Sequence, residues 1–191
     1  HLVEAKENAQ MYCKQDTHWS GQACIAVARI LRERVAGEPW LAAHPKTEYA
    51  TEDIEVEITG DLWTALDDAS VAKENVQLRR VGTGAPGGLE PVAPDPQSPV
   101  LLLGDSHNLV FHAGSDMHAT GAGLADQLAQ EFGFAVDLVA VRGSGATPAR
   151  INLLRRARTP GYLAGKKVVI WCFSAREFTE SSGWTKVPVS R

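Results

Sequence analysis

No apolar run in these 191 residues approaches the roughly 18 to 20 residues that a membrane-spanning helix needs. There is also no block of lysine and arginine: 19 basic residues are scattered among 23 acidic ones, for a net charge of −4. That balance removes the electrostatic case for nucleic acid or an anionic membrane as partner. Cysteine is scarce, and Cys13, Cys24 and Cys172 form neither a metal-binding spacing nor a Cys-x-x-Cys pair. One disulfide and three unpaired thiols both stay open, so cysteine does not set the compartment. Methionine does not open the chain; His1 does, as expected of a processed or trimmed piece whose leader or anchor is not visible. What is present is an ordinary globular composition, 44% hydrophobic and 22% charged, with enough length to bury one core. The expectation is a single domain over residues 1–191, with an irregular insertion at roughly 40–98.

Two halves differ in pattern. Met11–Lys14 reads as a short strand that runs into Asp16-Thr17-His18-Trp19. Ser20 suits a helix N-cap, because its hydroxyl can accept a first-turn amide. Cys24, Val27, Ala28, Leu31 and Val35 then recur at helical steps until Gly37 and Pro39. Ile54, Val56 and Ile58 alternate with glutamates as in a half-buried strand, Gly60-Asp61-Leu62-Trp63 opens a helical turn, and residues 76–81 read as another strand. A glycine- and proline-rich loop from Gly84 to Pro99 separates the halves.

The second half alternates strand and helix. Buried strands are expected at 100–103, 135–141 and 168–173. Between them, Leu124, Leu128 and Phe132 make one helical stripe and Ile151, Leu154 and Ala157 a second, with Thr147-Pro148 capping the latter. Strands joined through helices by short connections pair in parallel. The expected fold class is therefore α/β, a three-layer parallel sheet flanked by helices.

Functional groups of such a sheet gather beyond the carboxyl ends of its strands. Gly104-Asp105-Ser106-His107-Asn108 ends the first strand, a glycine-rich turn beginning at Arg142-Gly143 ends the second, and Ser174-Ala175-Arg176-Glu177 ends the third. A serine needs a base to take its proton, and the base needs a carboxylate to fix its tautomer. Asp16 and His18 sit at i, i+2, which in extended chain points both side chains the same way. Asp16 can then hold one ring nitrogen of His18 and leave the other for Ser106. The amides of Ser106 and of the turn at Gly143 would hold a developing oxyanion. Asp105 reads as a residue that ties down its own turn. His107 and His112 read as cleft-wall or surface residues, with His107 a substrate-contact candidate. Arg176 with Glu177 reads either as a surface ion pair or as a contact to an anionic substrate, and Trp19 either as packing for the first turn of its helix or as a platform for a sugar ring.

Gly104-Asp105-Ser106 after an apolar strand resembles the first block of the SGNH (GDSL-type) hydrolases. "QDTHWSGQACIAVARIL", "EVEITGDLWTAL" and "VVIWCFSAREF" together resemble the SGNH-like domain of the alginate O-acetyltransferase family, AlgJ and AlgX. The resemblance spans about residues 11 to 180. It implies a flavodoxin-like sheet, an Asp-x-His segment N-terminal to the nucleophile, Ser106 as nucleophile, His18 as base and acid, and Asp16 as its orienter. It also implies O-acetylation of a polysaccharide through an acetyl-serine, without cofactor or metal, outside the cytoplasm in the periplasm. A polysaccharide acceptor, an acetyl donor, a membrane-bound acetyl-transfer partner and other polysaccharide-export components would be its partners. Ordinary SGNH hydrolases instead place Asp-x-x-His after the serine. Here the only later histidines, His112 and His118, follow Ser106 too soon, and the late strand lacks a Gly-x-Asn-Asp block.

Three other classes compete. A carbohydrate acetylesterase would use the same residues with water as acceptor. A binding module would keep the fold without the reaction, though it has no physical need for serine, base and orienter together. "VLLLGDSHN" also resembles the first strand of calcineurin-like metallophosphoesterases, but that fold needs metal-binding histidines late in the chain, and none follows His118.

Overall fold

The computed structural model describes residue 6 and residues 9–143, 146–181 and 183–189. Two sheets organise it. Strands β1 (Ala50–Ile58), β2 (Glu74–Thr83) and β3 (Glu90–Pro91) form an antiparallel sheet in that order. Strands β4 (Val100–Gly104), β5 (Asp137–Ala140) and β6 (Val168–Cys172) form a parallel sheet in the order β5-β4-β6. The helices are α1 (Gly21–Arg34), α2 (Pro39–Ala43), α3 (Asp61–Leu66), α4 (Leu124–Phe132), α5 (Ala146–Ala157) and α6 (Arg176–Thr179).

β4 is central, and every one of its residues is buried. Alternate side chains of a strand leave on opposite faces. Val100 and Leu102 accordingly pack with Cys24 and Ala28 of α1 and with Leu124 and Leu128 of α4. Leu101 and Leu103 pack on the other side with Ala149 and Leu153 of α5. A fully buried leucine contributes about 1.5–3 kcal/mol, so this strand is pinned on both faces. The antiparallel sheet has one buried face, where Ile58, Val76 and Leu78 meet Val110 and Phe111. Its alternation of exposed glutamate and inward Ile54 and Val56 follows the sequence pattern. Ser20 caps α1, accepting from the Ala23 amide at 3.2 Å.

Four expectations change. Met11–Lys14 is not a strand: Tyr12 makes one isolated antiparallel bridge, to Trp19, closing a small hairpin. The third parallel strand is not buried: its residues alternate between half-buried and exposed, with Val169 and Trp171 exposed, whereas β5, the other edge of the same sheet, is largely buried. Thr147 lies inside α5 rather than capping it, and the two residues just before Ala146 fall outside the described set. The inward face of α5 is Ala146, Ala149 and Leu153, whereas Ile151 is exposed. Alanines carry that face because they let the helix approach Leu101, Leu103 and Val139 closely. All three cysteines are free.

Candidate active site

Each residue of Gly104-Asp105-Ser106 has a separate physical reason. A Cβ on Gly104 would lie 1.6 Å from the Cys172 carbonyl oxygen and 2.3 Å from Asn108 Nδ2, so only glycine fits between β4 and β6. Asp105 Oδ1 accepts the His107 amide at 2.9 Å, capping the 3-10 turn Ser106–Asn108, and Oδ2 accepts the Ser174 amide at 2.7 Å. It therefore locks the ends of β4 and β6 together. Burial pushes its carboxyl up, but bonds from the His107 ring and the Ser174 amide hold it below the usual carboxylate range. Asn108 Nδ2 donates to the Cys172 carbonyl at 2.9 Å, a structural tie. Ser106 is left at the end of the central strand, and its amide makes no hydrogen bond among the described residues.

The Asp16–His18 segment hangs from the antiparallel sheet. Glu74 accepts the Lys14 and Gln15 amides at 2.7 and 2.9 Å. Asp61 Oδ1 accepts the Thr17 amide at 2.8 Å and its Oδ2 the Thr17 hydroxyl at 2.5 Å. Gly60 lies so near that a Cβ there would sit 1.9 Å from the Gln15 oxygen. The segment is a bend rather than extended chain, and Asp16 Oδ1 accepts both the His18 amide at 2.9 Å and its ring Nδ1–H at 2.6 Å. The pairing expected from the i, i+2 spacing is present, but an Asx-type bend brings it about.

His18 Nε2 then lies 2.8 Å from Ser106 Oγ, across 88 residues of sequence. Asp16 Oδ2 accepts from the Asp61 amide at 3.2 Å and from His118 Nε2 at 3.0 Å. Burial pushes the Asp16 carboxyl up; the ring bonds from His118 and His18 and the His18 amide overcome it and hold the group well below the usual carboxylate range. Cys172 is no rival nucleophile, since burial and then Asp105 push its thiol up to about 12.

Ser106, Gly143 and Arg176 stand on the walls of two adjoining cavities. One, of about 390 Å³, includes Asp16, His18, Asp61, His118 and Arg142. The other, of about 550 Å³, includes Thr147, Ser174, Glu177 and Glu180. Arg142 pairs with Asp116 at 2.8 Å on the first wall. His107 is on neither wall: its ring packs 4.9 Å from that of His18 and 5.7 Å from that of Trp19, and Nδ1 meets Asp105. His112 is structural too, its Nδ1 2.8 Å from the buried Asp126 that caps α4. His118 and Asp61 are the residues that spacing did not bring to Asp16. His118 reaches it from 102 positions away, and glycines at 114 and 121 are the only local sign of the tight turn that carries it.

A family model described as "SGNH hydrolase-like domain, acetyltransferase AlgX" matches residues 1–175. The chain belongs to this family. Two solved structures are similar to this AlgX-family chain at 22% identity each. They are the O-acetyltransferase domain of Pseudomonas putida AlgJ (TM-score 0.65, 95% of this chain and 59% of that one) and Pseudomonas aeruginosa AlgX (TM-score 0.58, 85% and 37%). The chain thus spans less than two thirds of either relative, and the likeness concerns the fold. A search of curated proteins found no match. Among the described residues, no helix of this AlgX-family domain is long and apolar enough to cross a membrane.

Proposed function

We propose that this AlgX-family chain is a polysaccharide O-acetyltransferase domain that works through an acetyl-Ser106 intermediate on the triad Ser106, His18 and Asp16. The observation that carries the reading is the His18 ring, 2.6 Å from Asp16 on one nitrogen and 2.8 Å from Ser106 on the other. His18 Nε2 takes the Ser106 proton as Oγ attacks the acetyl carbonyl of the donor. The tetrahedral oxyanion is held by the amides of Ser106 and Gly143. The bond between the acetyl carbon and the donor's leaving group breaks as His18 returns the proton to that leaving group. A sugar hydroxyl then gives its proton to His18 and attacks the acetyl-serine, forming the sugar ester and restoring Ser106. Asp16, ionised and fixed by four donors, stabilises the imidazolium that forms twice per cycle.

The reading extends the fold to three layers, with helices α1 and α4 on one face of the parallel sheet and α5 on the other. It places the protein in the periplasm, with an acetyl donor delivered by a membrane-bound acetyl-transfer partner and export components alongside. Arg176 and Gly143 line both cavities, which supports assigning them contacts to donor and acceptor in turn.

The test is incubation with p-nitrophenyl acetate and a panel of deacetylated oligosaccharides, read by mass, with and without chelator. Acetylated sugar is expected, abolished by Ser106→Ala and indifferent to chelator. Turnover that survives Ser106→Ala, or that chelator removes, overturns the serine mechanism. Acetate release with no sugar ester makes the domain an acetylesterase, and sugar binding without turnover makes it a binding module.

A further inference from the structure

Asp16 meets two histidines, and only one belongs to its own motif. His118 donates from Nε2 to Asp16 Oδ2 at 3.0 Å, its side chain only 9% exposed and its ring 6.0 Å from that of buried Phe111. The backbone that presents this ring is unusual. His118 has φ +70° and ψ −46°, and the Ala119 amide donates to the Met117 carbonyl at 2.9 Å. Those features define a γ-turn of the rare, strained hand, centred on a histidine. Phe111 and Ser115 also hold positive φ, 59° and 55°, within the same eight residues.

Glycine would adopt such a conformation freely, so a histidine kept there is held by its surroundings. The holding contacts are visible. The Phe111 amide donates to the Met117 carbonyl and the Gly114 amide to the Ala119 carbonyl, both at 2.8 Å, and Ala113 bridges Thr120. The segment is thus braced into a form that aims one ring N–H at one carboxylate oxygen.

We propose that His118 is a positioning residue of the triad, fixing Asp16 Oδ2 so that Oδ1 stays aimed at His18 Nδ1. This rests on the acetyl-serine reading above. A carboxylate torsion is broad and nearly two-fold, so an unanchored Asp16 samples orientations that do not serve His18. Oδ1 already carries the His18 amide and ring. Without His118, Oδ2 keeps only the Asp61 amide at 3.2 Å, a bond that constrains the group poorly. A misaligned Asp16 tilts His18, and His18 then meets Ser106 in fewer productive orientations. His118 also lines the 390 Å³ cavity, so the kinetics separate its two possible roles: loss of aim falls on kcat, whereas loss of a substrate contact would fall on KM.

The test compares His118→Leu, His118→Gln and Ser106→Ala with the parent in p-nitrophenyl acetate turnover. Alongside, proton NMR follows the low-field Nδ1–H resonance of His18. Leucine removes the donor and is expected to lower kcat about 10- to 100-fold with KM nearly unchanged, and to weaken or shift the resonance. Glutamine offers an amide N–H at similar reach and is expected to restore most of both. If His118→Leu does not fold, as judged by thermal melting, His118→Asn replaces it, its amide one methylene short of Asp16. A donor-less variant with parental kcat and an unchanged resonance overturns the proposal, as does a glutamine variant as impaired as the leucine one. Parent turnover that is indifferent to Ser106→Ala is a separate failure, that of the acetyl-serine reading. The resonance still decides whether His118 orders the Asp16–His18 pair.

Discussion

The chain contains the Asp-x-His pattern twice, at Asp16–His18 and Asp105–His107, and the two copies are nearly superposable in local chemistry. In each, the carboxylate accepts the amide two residues on at 2.9 Å from the same oxygen that meets the ring Nδ1, at 2.6 Å in the first pair and 3.1 Å in the second. Side-chain exposure is 3% and 12% in the first pair, 7% and 14% in the second, so burial does not separate them either. What separates them is the third partner. His18 Nε2 meets Ser106 Oγ, whereas His107 Nε2 has no hydrogen-bond partner among the described residues. The second oxygen of Asp16 receives His118 and the Asp61 amide, while that of Asp105 receives a backbone amide from the end of β6. One pair is wired to a nucleophile and the other to the sheet. The i, i+2 spacing builds an Asx-type bend with a paired histidine, and tertiary structure decides what the bend is for.

The sharpest way to break this comparison is to remove the histidine from each pair. His18→Ala is expected to lower acetyl release by about 10³-fold or more, because Ser106 loses its base. His107→Ala is expected to cost less than about 10-fold, through loosened packing against His18 alone. Equal losses at the two positions, measured as kcat/KM on a chromogenic acetate ester, would erase the distinction.

The carboxylates come next. Asp16→Asn keeps the shape but removes the charge that stabilises the His18 imidazolium and offers an N–H where an acceptor is needed. Its kcat is expected to fall on the order of 10²- to 10⁴-fold with the fold intact. Asp105→Asn should reverse the pattern. The amide can still accept one of two backbone N–H bonds, so activity per folded molecule falls modestly while unfolding free energy in urea drops by about 1–3 kcal/mol. A folded, inactive Asp105→Asn beside an active Asp16→Asn would invert the assignment.

How far the sequence anticipates this arrangement follows from how local each feature is. Ser106 at the end of an apolar run, the Ser20 cap and the stripe Leu124–Leu128–Phe132 are near-neighbour patterns, and all stand in the structure as the residues suggest. The inward face of α5 departs from its hydrophobic pattern because its contact residues are mostly alanines, which carry little weight in such a pattern although they set the approach distance. That β6 is an edge follows from sheet order, which periodicity does not encode. His118 was invisible as a partner of Asp16 for a different reason. Its ring arrives from 102 residues away on a γ-turn whose positive φ belongs to the braced segment rather than to histidine. The same long-range closure is why two identical Asp-x-His spellings could not be told apart by spacing.

A smaller effect is expected where the first pair is hung from its scaffold. Gly60→Ala would put a methyl group 1.9 Å from the Gln15 oxygen, so the backbone of the Asp16–His18 bend has to move. The expected outcome is a loss of activity on the order of 10- to 100-fold, as for a displacement of about 1 Å at a catalytic group. Asp61→Asn, which keeps an oxygen for one Thr17 bond, should cost less. Both are read as kcat on the acetate ester, with the His107 environment, followed by ring proton shifts, largely unchanged.

The smallest expected effect concerns acid. Asp16 and Asp105 are both held below their ordinary value of 3.8, Asp16 by far the more strongly. A carboxyl depressed in the folded state contributes stability that is fully present above the unfolded value and is lost as pH falls through the folded one. At neutral pH both groups are ionised whether the chain is folded or not, so the stability gap between the parent and either asparagine variant is flat there. As pH falls below 3.8, the unfolded chain takes up protons first and the gap begins to close. Both gaps begin to close together, but because Asp105 is depressed less, the gap to Asp105→Asn should level off at a higher pH, while the gap to Asp16→Asn goes on closing. Urea unfolding between about pH 1 and 7 reads both gaps. If both level off at the same pH, the extra ring bond from His118 does not set Asp16 apart from its twin.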